Sequence, residues 1–404
     1  MEVILKFDCN TIFFDLEKYV RHEDYKGWDP YDQLNSKIFN LSGLHKWDIA
    51  RLLVIQLGKR SPVNFRRVLN VPKEYNSKGL ALCLQAYCKL HKLITLGHLE
   101  ESCLEGVNDT ITFLSNLLLN RRVLGFSGAC WGYNFPWQAR RLFLFPAETP
   151  TVVATAFCSS ALFSAYEITE NKEYLEAALS SSDFVLNDLK KRHDDHGFIL
   201  SYSPLQGNDT VYNASLLGAK ILSQSYTYTK DEALKRDASA IINYAVKRQG
   251  DDGSWEYGQL PQQSWKDSFH TGYNLESIAC YSKFCCDDKY SKSLDKGMNF
   301  YINQFFTSTG IPKYFYNKTY PIDIHCPGQL WNTIQTTGDW QKYRELSQRV
   351  FEWTVTNMRN EKGFFYYQKK RFFKSKISYM RWSNAFMLNA LASYMMGEYG
   401  IEEN

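Results

Sequence analysis

Asp252-Gly-Ser-Trp-Glu-Tyr257 and, ten residues on, Asp267-Ser-Phe-His-Thr-Gly-Tyr-Asn-Leu-Glu276 carry the reading of the whole chain. The first piece is a glycine-aromatic turn that closes a unit. The second is a polar opening that caps a helix and continues as its apolar body. Outward from them the same two phrases return. Openings stand at Glu148-Thr-Pro150, Asp209-Thr-Val-Tyr212, Asp323-Ile-His325 and Arg381-Trp382. Closings run from Gly125 to Trp131-Gly-Tyr133, Gly197 to Tyr202, Gly310 to Tyr316, and Gly363-Phe-Phe-Tyr-Tyr367. The period is roughly fifty residues, and a helix pair of that size cannot bury its apolar faces alone, so its recurrence means neighbours stacked around a shared core.

Between the punctuation lie paired helical stretches. Asn76-Ser77 caps the first copy, whose second helix covers 103–119. Later pairs are expected at 152–168 and 172–189, 212–227 and 231–248, 273–284 and 290–305, and 327–336 and 340–357. In each pair the first helix is the more apolar and small, as in Thr155-Ala-Phe-Cys-Ser-Ser-Ala161, while the second carries Lys, Glu and Asp on one face. Inner helices meet neighbours on every side and outer helices keep one face wet, so this asymmetry predicts an all-α ring of six hairpins with short β-turn closings. No linker divides the chain, which is read as a single domain over 1–404, with 1–46 as an N-terminal arm and loop packing on the ring. Within it, Pro30 bars a helix immediately before it, and Asp29, Asp32 and Asn35 favour local turns, so Gly27–Ser36 is a defined loop. A closed ring gathers the inner N-termini at one end, a setting that favours anionic groups.

Composition removes several function classes. A net charge of +4 from 47 basic and 43 acidic residues gives no field for nucleic acid. Glu2, Lys6, Asp8, Asp15, Glu17 and Lys18 interrupt any run that would serve as an export signal or membrane span. Ten cysteines without CxxC spacing read as small core residues of a reducing compartment, so a cytoplasmic location is expected. Neither a glycine-rich phosphate loop nor HExxH occurs, and His193 and His196 around Asp194-Asp195 read as a solvated turn. No cofactor and no metal are expected.

Asp29-Pro-Tyr-Asp32 with Leu34-Asn-Ser36, Trp131-Gly-Tyr133, Asp267 to Glu276, Asp323-Ile-His325 and Arg381-Trp382 together resemble the (α/α)6 toroid of six-hairpin glycosidases and the toroidal domains of uronate lyases and glucuronyl epimerases. More narrowly, the set is similar to toroid proteins encoded among bacterial surface-polysaccharide genes. The resemblance spans nearly the whole chain. It implies a sugar-facing cleft, a polysaccharide or oligosaccharide substrate, and other proteins of polysaccharide assembly as partners.

The residues themselves offer two chemistries. Glycosidic cleavage needs two carboxyl groups roughly 5–9 Å apart, and Glu148, Asp267 and Asp323 open three units. Elimination or epimerisation of a uronate needs charge neutralisation and proton transfer, for which His270, His325, Tyr273, Arg140 and Arg381 are suited. Asp267 and His270 stand one helical turn apart at a helix start, where the aspartate caps and the imidazole turns toward the ring axis. Asp29, Tyr31 and Asp32 in the loop, and the indoles of Trp131 and Trp382, complete the candidate substrate-binding set, aromatic faces being apolar platforms for sugar rings. Two alternatives stay open. Gln249-Gly-Asp-Asp-Gly-Ser-Trp255 resembles the Gln-Trp turn of terpenoid cyclases, without an Asp-x-Asp-Asp acid. A non-catalytic toroid that binds glycan or scaffolds an assembly predicts an open aromatic funnel whose carboxylates all serve as caps.

Overall fold

A computed structural model describes residues 6–138 and 144–402. Its helices are α1 (Cys9–His22), α2 (Lys37–Leu41), α3 (Asp48–Arg60), α4 (Ser77–Thr95), α5 (Leu104–Asn120), α6 (Val152–Thr169), α7 (Lys172–Asp183), α8 (Tyr212–Thr229), α9 (Glu232–Val246), α10 (Ser268–Cys285), α11 (Ser291–Phe305), α12 (His325–Thr336), α13 (Trp340–Met358) and α14 (Phe386–Glu398). Helices α4, α6, α8, α10, α12 and α14 pack in that order, and α14 packs back on α4, so the inner ring closes. Helices α5, α7, α9, α11 and α13 each back their own inner helix. The sixth outer position is filled by α1, which lies against α14 with Ile12, Phe13, Leu16 and Val20 buried. Residues 9–22, read above as part of an arm, are therefore a member of the outer ring. The reason is topological: the sixth hairpin takes its inner helix from the end of the chain and its outer helix from the beginning.

Helices α4, α6 and α10 start where a side chain replaces the missing intrahelical partner. Asn76 accepts from the Gly79 amide at 3.3 Å, Thr151 from Ala154 at 3.1 Å and Asp267 from His270 at 3.0 Å. Helix α10 begins at Ser268, five residues before the expected start, because Asp267 caps it directly. Likewise α12 begins at His325, whose amide donates to Asp323 at 3.0 Å. A π-helical turn, Met380–Ala385, leads into α14.

The strands are short: β1 (Trp137–Gln138) pairs with β2 (Leu144–Phe145), and β3 (Lys191–Asp194) with β4 (Gly197–Leu200). Strands β5 (Ile322–Asp323), β6 (Gln368–Lys369) and β7 (Lys374–Ser375) form a three-stranded antiparallel sheet with Asp323 opposite Gln368 and Gln368 opposite Ser375. Closing turns lock the outer ring, and the one at Gly363 locks α1. That residue has φ of 91°, and a Cβ there would lie 2.5 Å from the Asp15 carbonyl oxygen on α1. Among the described residues α6 alone is long and apolar enough to cross a membrane, and it is an inner helix buried by its neighbours.

Candidate functional site

At the start of α10, Asp267 is buried and its carboxylate is fully used. It accepts from the His270 amide at 3.0 Å, the Trp265 indole N–H at 2.9 Å and His270 Nδ1 at 2.7 Å. A carboxylate that only accepts puts a proton on Nδ1, so the tautomer it selects is the one that carries its lone pair on Nε2. The ring is packed between Phe269 and Tyr257, with centroids at 4.1 and 4.6 Å, and Tyr257 is itself stacked on Trp265 at 4.5 Å. His270 nonetheless keeps 21% of its side chain exposed, against 1% for His325.

A narrow crevice beside His270 is bordered by Asn213, Glu256, Tyr257 and Asn274. The Oδ1 atoms of Asn213 and Asn274 are buried and accept no hydrogen bond from the described residues. Leaving such groups unpaired is costly, and the crevice in this structure is too narrow for a water molecule, so a hydroxyl reaches them only where the crevice widens. Glu256 adds an exposed carboxylate at the same edge. The reading from sequence quoted Asn274 and Glu256 only as parts of motifs and did not single out Asn213. Their signal is a polar side chain early in an otherwise apolar inner helix, or the acid between the two aromatic residues of a closing turn.

Next to the dyad lies a buried ionic layer. Arg381 binds Asp29 in a two-pronged pair, Nε to Oδ2 at 2.6 Å and Nη2 to Oδ1 at 2.8 Å, with both side chains 5% exposed. Burial works against the guanidinium charge, but the Asp29 carboxylate outweighs it and holds Arg381 above its ordinary value. Arg66 pairs with Asp32 at 2.6 Å and also donates to the Tyr379 hydroxyl at 2.9 Å. Burial pushes the Asp32 carboxyl up to about 7 despite that partner. Lys78, in the first turn of α4, donates to the Tyr273 hydroxyl at 3.2 Å and lies 4.0 Å from the Phe157 ring centroid. Burial, reinforced by the nearby Arg381, holds its amine well below the usual lysine range, and burial raises the Tyr273 phenol well above its own. Lys78 is a functional candidate that the motif reading did not find.

Asp323, His325 and Trp382 form a third group. Asp323 accepts from the Trp382 indole at 2.9 Å, the Gln368 side-chain amide at 2.6 Å and the His325 backbone amide at 3.0 Å. His325 is stacked on Phe386 with centroids 3.8 Å apart, and burial holds its ring well below the usual imidazole range, so it is neutral. The chain turns between the two residues, bringing Nδ1 to 3.9 Å from Asp323. Three donors make Asp323 an anchor for Trp382 and α12 more than a proton carrier. Phe269 joins this group to the dyad through ring contacts with His270, His325 and Trp382, and Tyr31 meets Trp382 at 5.7 Å.

Asp29, Tyr31, Asp32, Asp267, His270, Tyr273, Asp323, His325, Arg381 and Trp382 thus meet at the inner N-termini. Two expected members do not. Glu148 pairs with Arg121 at 2.7 Å and is 43% exposed; burial raises its carboxyl above the ordinary value against the Arg121 charge, but no contact joins it to the cluster among the described residues. Trp131 is completely buried with its indole donating to Leu118 at 2.8 Å; it wedges α5 and cannot offer a face to a sugar. Arg140 lies outside the described residues. Trp255 is likewise enclosed, donating to Ala245 at 2.9 Å, while Gln249 bridges to Gly253 and Ser293 at 2.9 and 3.0 Å. The Gln-Trp turn is therefore structural here.

A cavity of about 390 Å³ opens toward the opposite end and runs up between the inner helices as far as Phe157 and Tyr273. It is lined by Lys89, Lys92, Lys220 and Lys283 and reaches Glu276. Lys92 and Lys283 sit in the last turns of α4 and α10, where a positive charge is favourable, whereas Lys220 lies in the middle of α8 and Lys89 donates to Asn389 and Ser393 at 3.1 and 2.7 Å. Glu276 accepts from Gln329 and, at 3.2 Å, from Thr333, tying α10 to α12.

This architecture is the (α/α)6 toroid. No family model and no curated protein matches the chain. Solved structures do. A family 76 glycoside hydrolase from a bovine Bacteroides thetaiotaomicron strain superposes with a TM-score of 0.64 at 11% identity, over 98% of this chain and 78% of that one. Cellobiose 2-epimerase from Bacillus thermoamylovorans gives 0.61 at 14% identity, over 95% and 99%. Unsaturated glucuronyl hydrolase from a Bacillus species gives 0.61 at 9% identity, over 97% and 96%. The likeness is one of fold.

Proposed function

We propose that the protein is a carbohydrate-active enzyme whose proton-transfer group is His270, acting on a polysaccharide or oligosaccharide at the inner-helix N-termini. The observation that carries this reading is the Asp267–His270 bond of 2.7 Å. A buried carboxylate fixes the tautomer and orientation of a partly exposed imidazole, leaving Nε2 directed away from its partner and able to take or return a proton. The unpaired oxygens of Asn213 and Asn274 accept sugar hydroxyls. Glu256 supplies a second carboxyl group at the edge. Arg381 keeps positive charge in the layer below, and the Lys78–Tyr273 pair supplies a phenol and an amine for a uronate carboxylate or the carbon beside it. The fold's occurrence in glycoside hydrolases and epimerases supports the substrate class. Hydrolysis, elimination and epimerisation share this need for a held base. We place the activity in surface-polysaccharide synthesis or modification in the cytoplasm.

The engagement of Asp29, Asp32, Asp267 and Asp323 favours a second reading, a toroid that binds glycan without turning it over. The test covers both. Wild type, His270→Gln and Asp267→Asn are incubated with neutral and uronate-containing oligosaccharides, and reducing ends, unsaturated products and deuterium uptake from solvent are followed. Loss of roughly 10²–10⁴-fold in turnover for His270→Gln, with binding retained, is the expected result. Unchanged turnover in both variants refutes the base assignment, and binding without turnover by the wild type selects the second reading.

A further inference from the structure

The surface over the candidate site is chemically unlike the rest of the molecule. On α3, Ile49, Leu53 and Leu57 follow one another at four-residue spacing and are 74%, 55% and 68% exposed. The opposite face of the same helix packs through Ile55 against Leu34 and Phe39. Around that stripe Leu41 is 87% exposed, Trp47 70% and Val68 73%. The β6–β7 hairpin joins this surface, because Lys370 at its tip donates to the Arg60 carbonyl at the end of α3 at 3.1 Å. The tip presents Phe372, 87% exposed. A contiguous apolar surface of this kind on a soluble domain marks an interaction site.

Charge identifies the occupant. Segments 37–68 and 369–376 carry 12 Lys and Arg and a single acid, Asp48, whereas the rest of the chain carries 35 basic and 42 acidic residues. Arg66 is buried against Asp32 and Arg51 pairs with Asp48, and the other ten basic residues of these segments have no acid among them. Lys37, Lys46, Arg60, Arg67 and Arg371 are exposed there among the apolar side chains. Two copies meeting face to face would set like charges against each other, since a two-fold interface is self-complementary only if its charges alternate. An amphipathic helix with Trp and Leu on one side and cations at its edges matches an anionic lipid surface, into which the apolar side chains sink while the cations meet headgroups.

We infer that α2, α3 and the β6–β7 tip form a docking surface for an anionic bilayer. The surface is continuous with the site. Lys59 on α3 donates to the Tyr31 hydroxyl, and β6 pairs with β5, the strand that carries Asp323. Docking would therefore bring the inner-helix N-termini to the membrane plane. The binding itself is independent of the carbohydrate reading, because it is measured without turnover.

The experiment is co-sedimentation of the full chain with extruded phosphatidylcholine vesicles, pure or containing roughly one-third phosphatidylglycerol, across a salt series. Wild type is expected to bind the anionic vesicles, to release as salt rises, and to leave the neutral ones largely unbound. Lys46→Glu with Arg60→Glu and Arg371→Glu should weaken binding by at least roughly a hundredfold, since each basic residue near the surface is worth about a factor of five. Trp47→Ser with Leu57→Ser and Phe372→Ser should weaken it by roughly tenfold or more. All six positions are exposed, and unchanged thermal melting verifies that the variants fold. Wild type that stays in the supernatant, or binding insensitive to both variant sets, overturns the inference. So does a dimer, seen by sedimentation, that the apolar set dissociates.

Discussion

Replacing Arg381 with methionine should cost more than any other single change at the inner N-termini. The guanidinium and the Asp29 carboxylate are each 5% exposed and bind through two hydrogen bonds of 2.6 and 2.8 Å. They join the start of the chain to its last hairpin across 352 positions. Removing one partner leaves a charge in a medium that cannot solvate it, a loss of about 3–5 kcal/mol for a buried pair. For 404 residues the unfolding entropy is about 0.8 kcal/mol per kelvin, so the midpoint should fall by about 4–6 °C. Asp29→Asn should do the same, and the double variant should be less damaged than the sum, because it leaves no stranded charge. Guanidinium denaturation of the four proteins gives the coupling energy directly. Losses under about 1 kcal/mol, or additive losses, would refute the claim that this pair holds the loop to the ring.

Other outcomes follow from single observations. Leu16→Ala on α1, at a completely buried position, should cost about 2–5 kcal/mol in denaturant unfolding, as for any core helix; a cost near zero would return α1 to the status of an appendage. Gly363→Ala should destabilise by at least about 1–2 kcal/mol, since it places a side chain at φ of 91° with its Cβ 2.5 Å from the Asp15 carbonyl, and limited proteolysis should then release α1 first. Burial lowers the Lys78 amine in the folded state, so its protonation on unfolding favours the unfolded chain below the ordinary lysine range; Lys78→Met should therefore raise the melting temperature at pH 7, and a lower one would place a charged, satisfied lysine there. His325 follows the same sign at lower pH: the unfolded ring takes a proton first, stability falls as pH drops below about 6.5, and His325→Phe should flatten that slope in calorimetric scans.

The hairpin ring is legible in the chain because capping is local. Asn76, Thr151 and Asp267 each announce a helix within three residues, and Asp267 with His270 needs only one turn to define the dyad. What spans the ring is not legible. The sixth outer helix precedes the first inner one, so no neighbouring copy marks α1 as a repeat member, and Asp29 finds Arg381 only after closure. Lys78, Asn213 and Asn274 are polar residues in the first two turns of inner helices, outside any recurring phrase of the openings that marks a site, and only closure of the ring gives them meaning. Trp131 stands in a closing turn like an indole poised to meet a ligand, yet the gap between α5 and α6 takes the whole ring. Glu148 opens its unit as Asp267 does, but its carboxylate is taken by Arg121, just past the end of α5.

Co-crystallisation with an oligosaccharide tests the central assignment most directly. The account predicts a sugar ring beside His270, with hydroxyls donating to Asn213 and Asn274 and a reacting atom within hydrogen-bond reach of Nε2. A sugar bound instead in the lysine-lined cavity at the opposite end, with the His270 crevice empty, would contradict it.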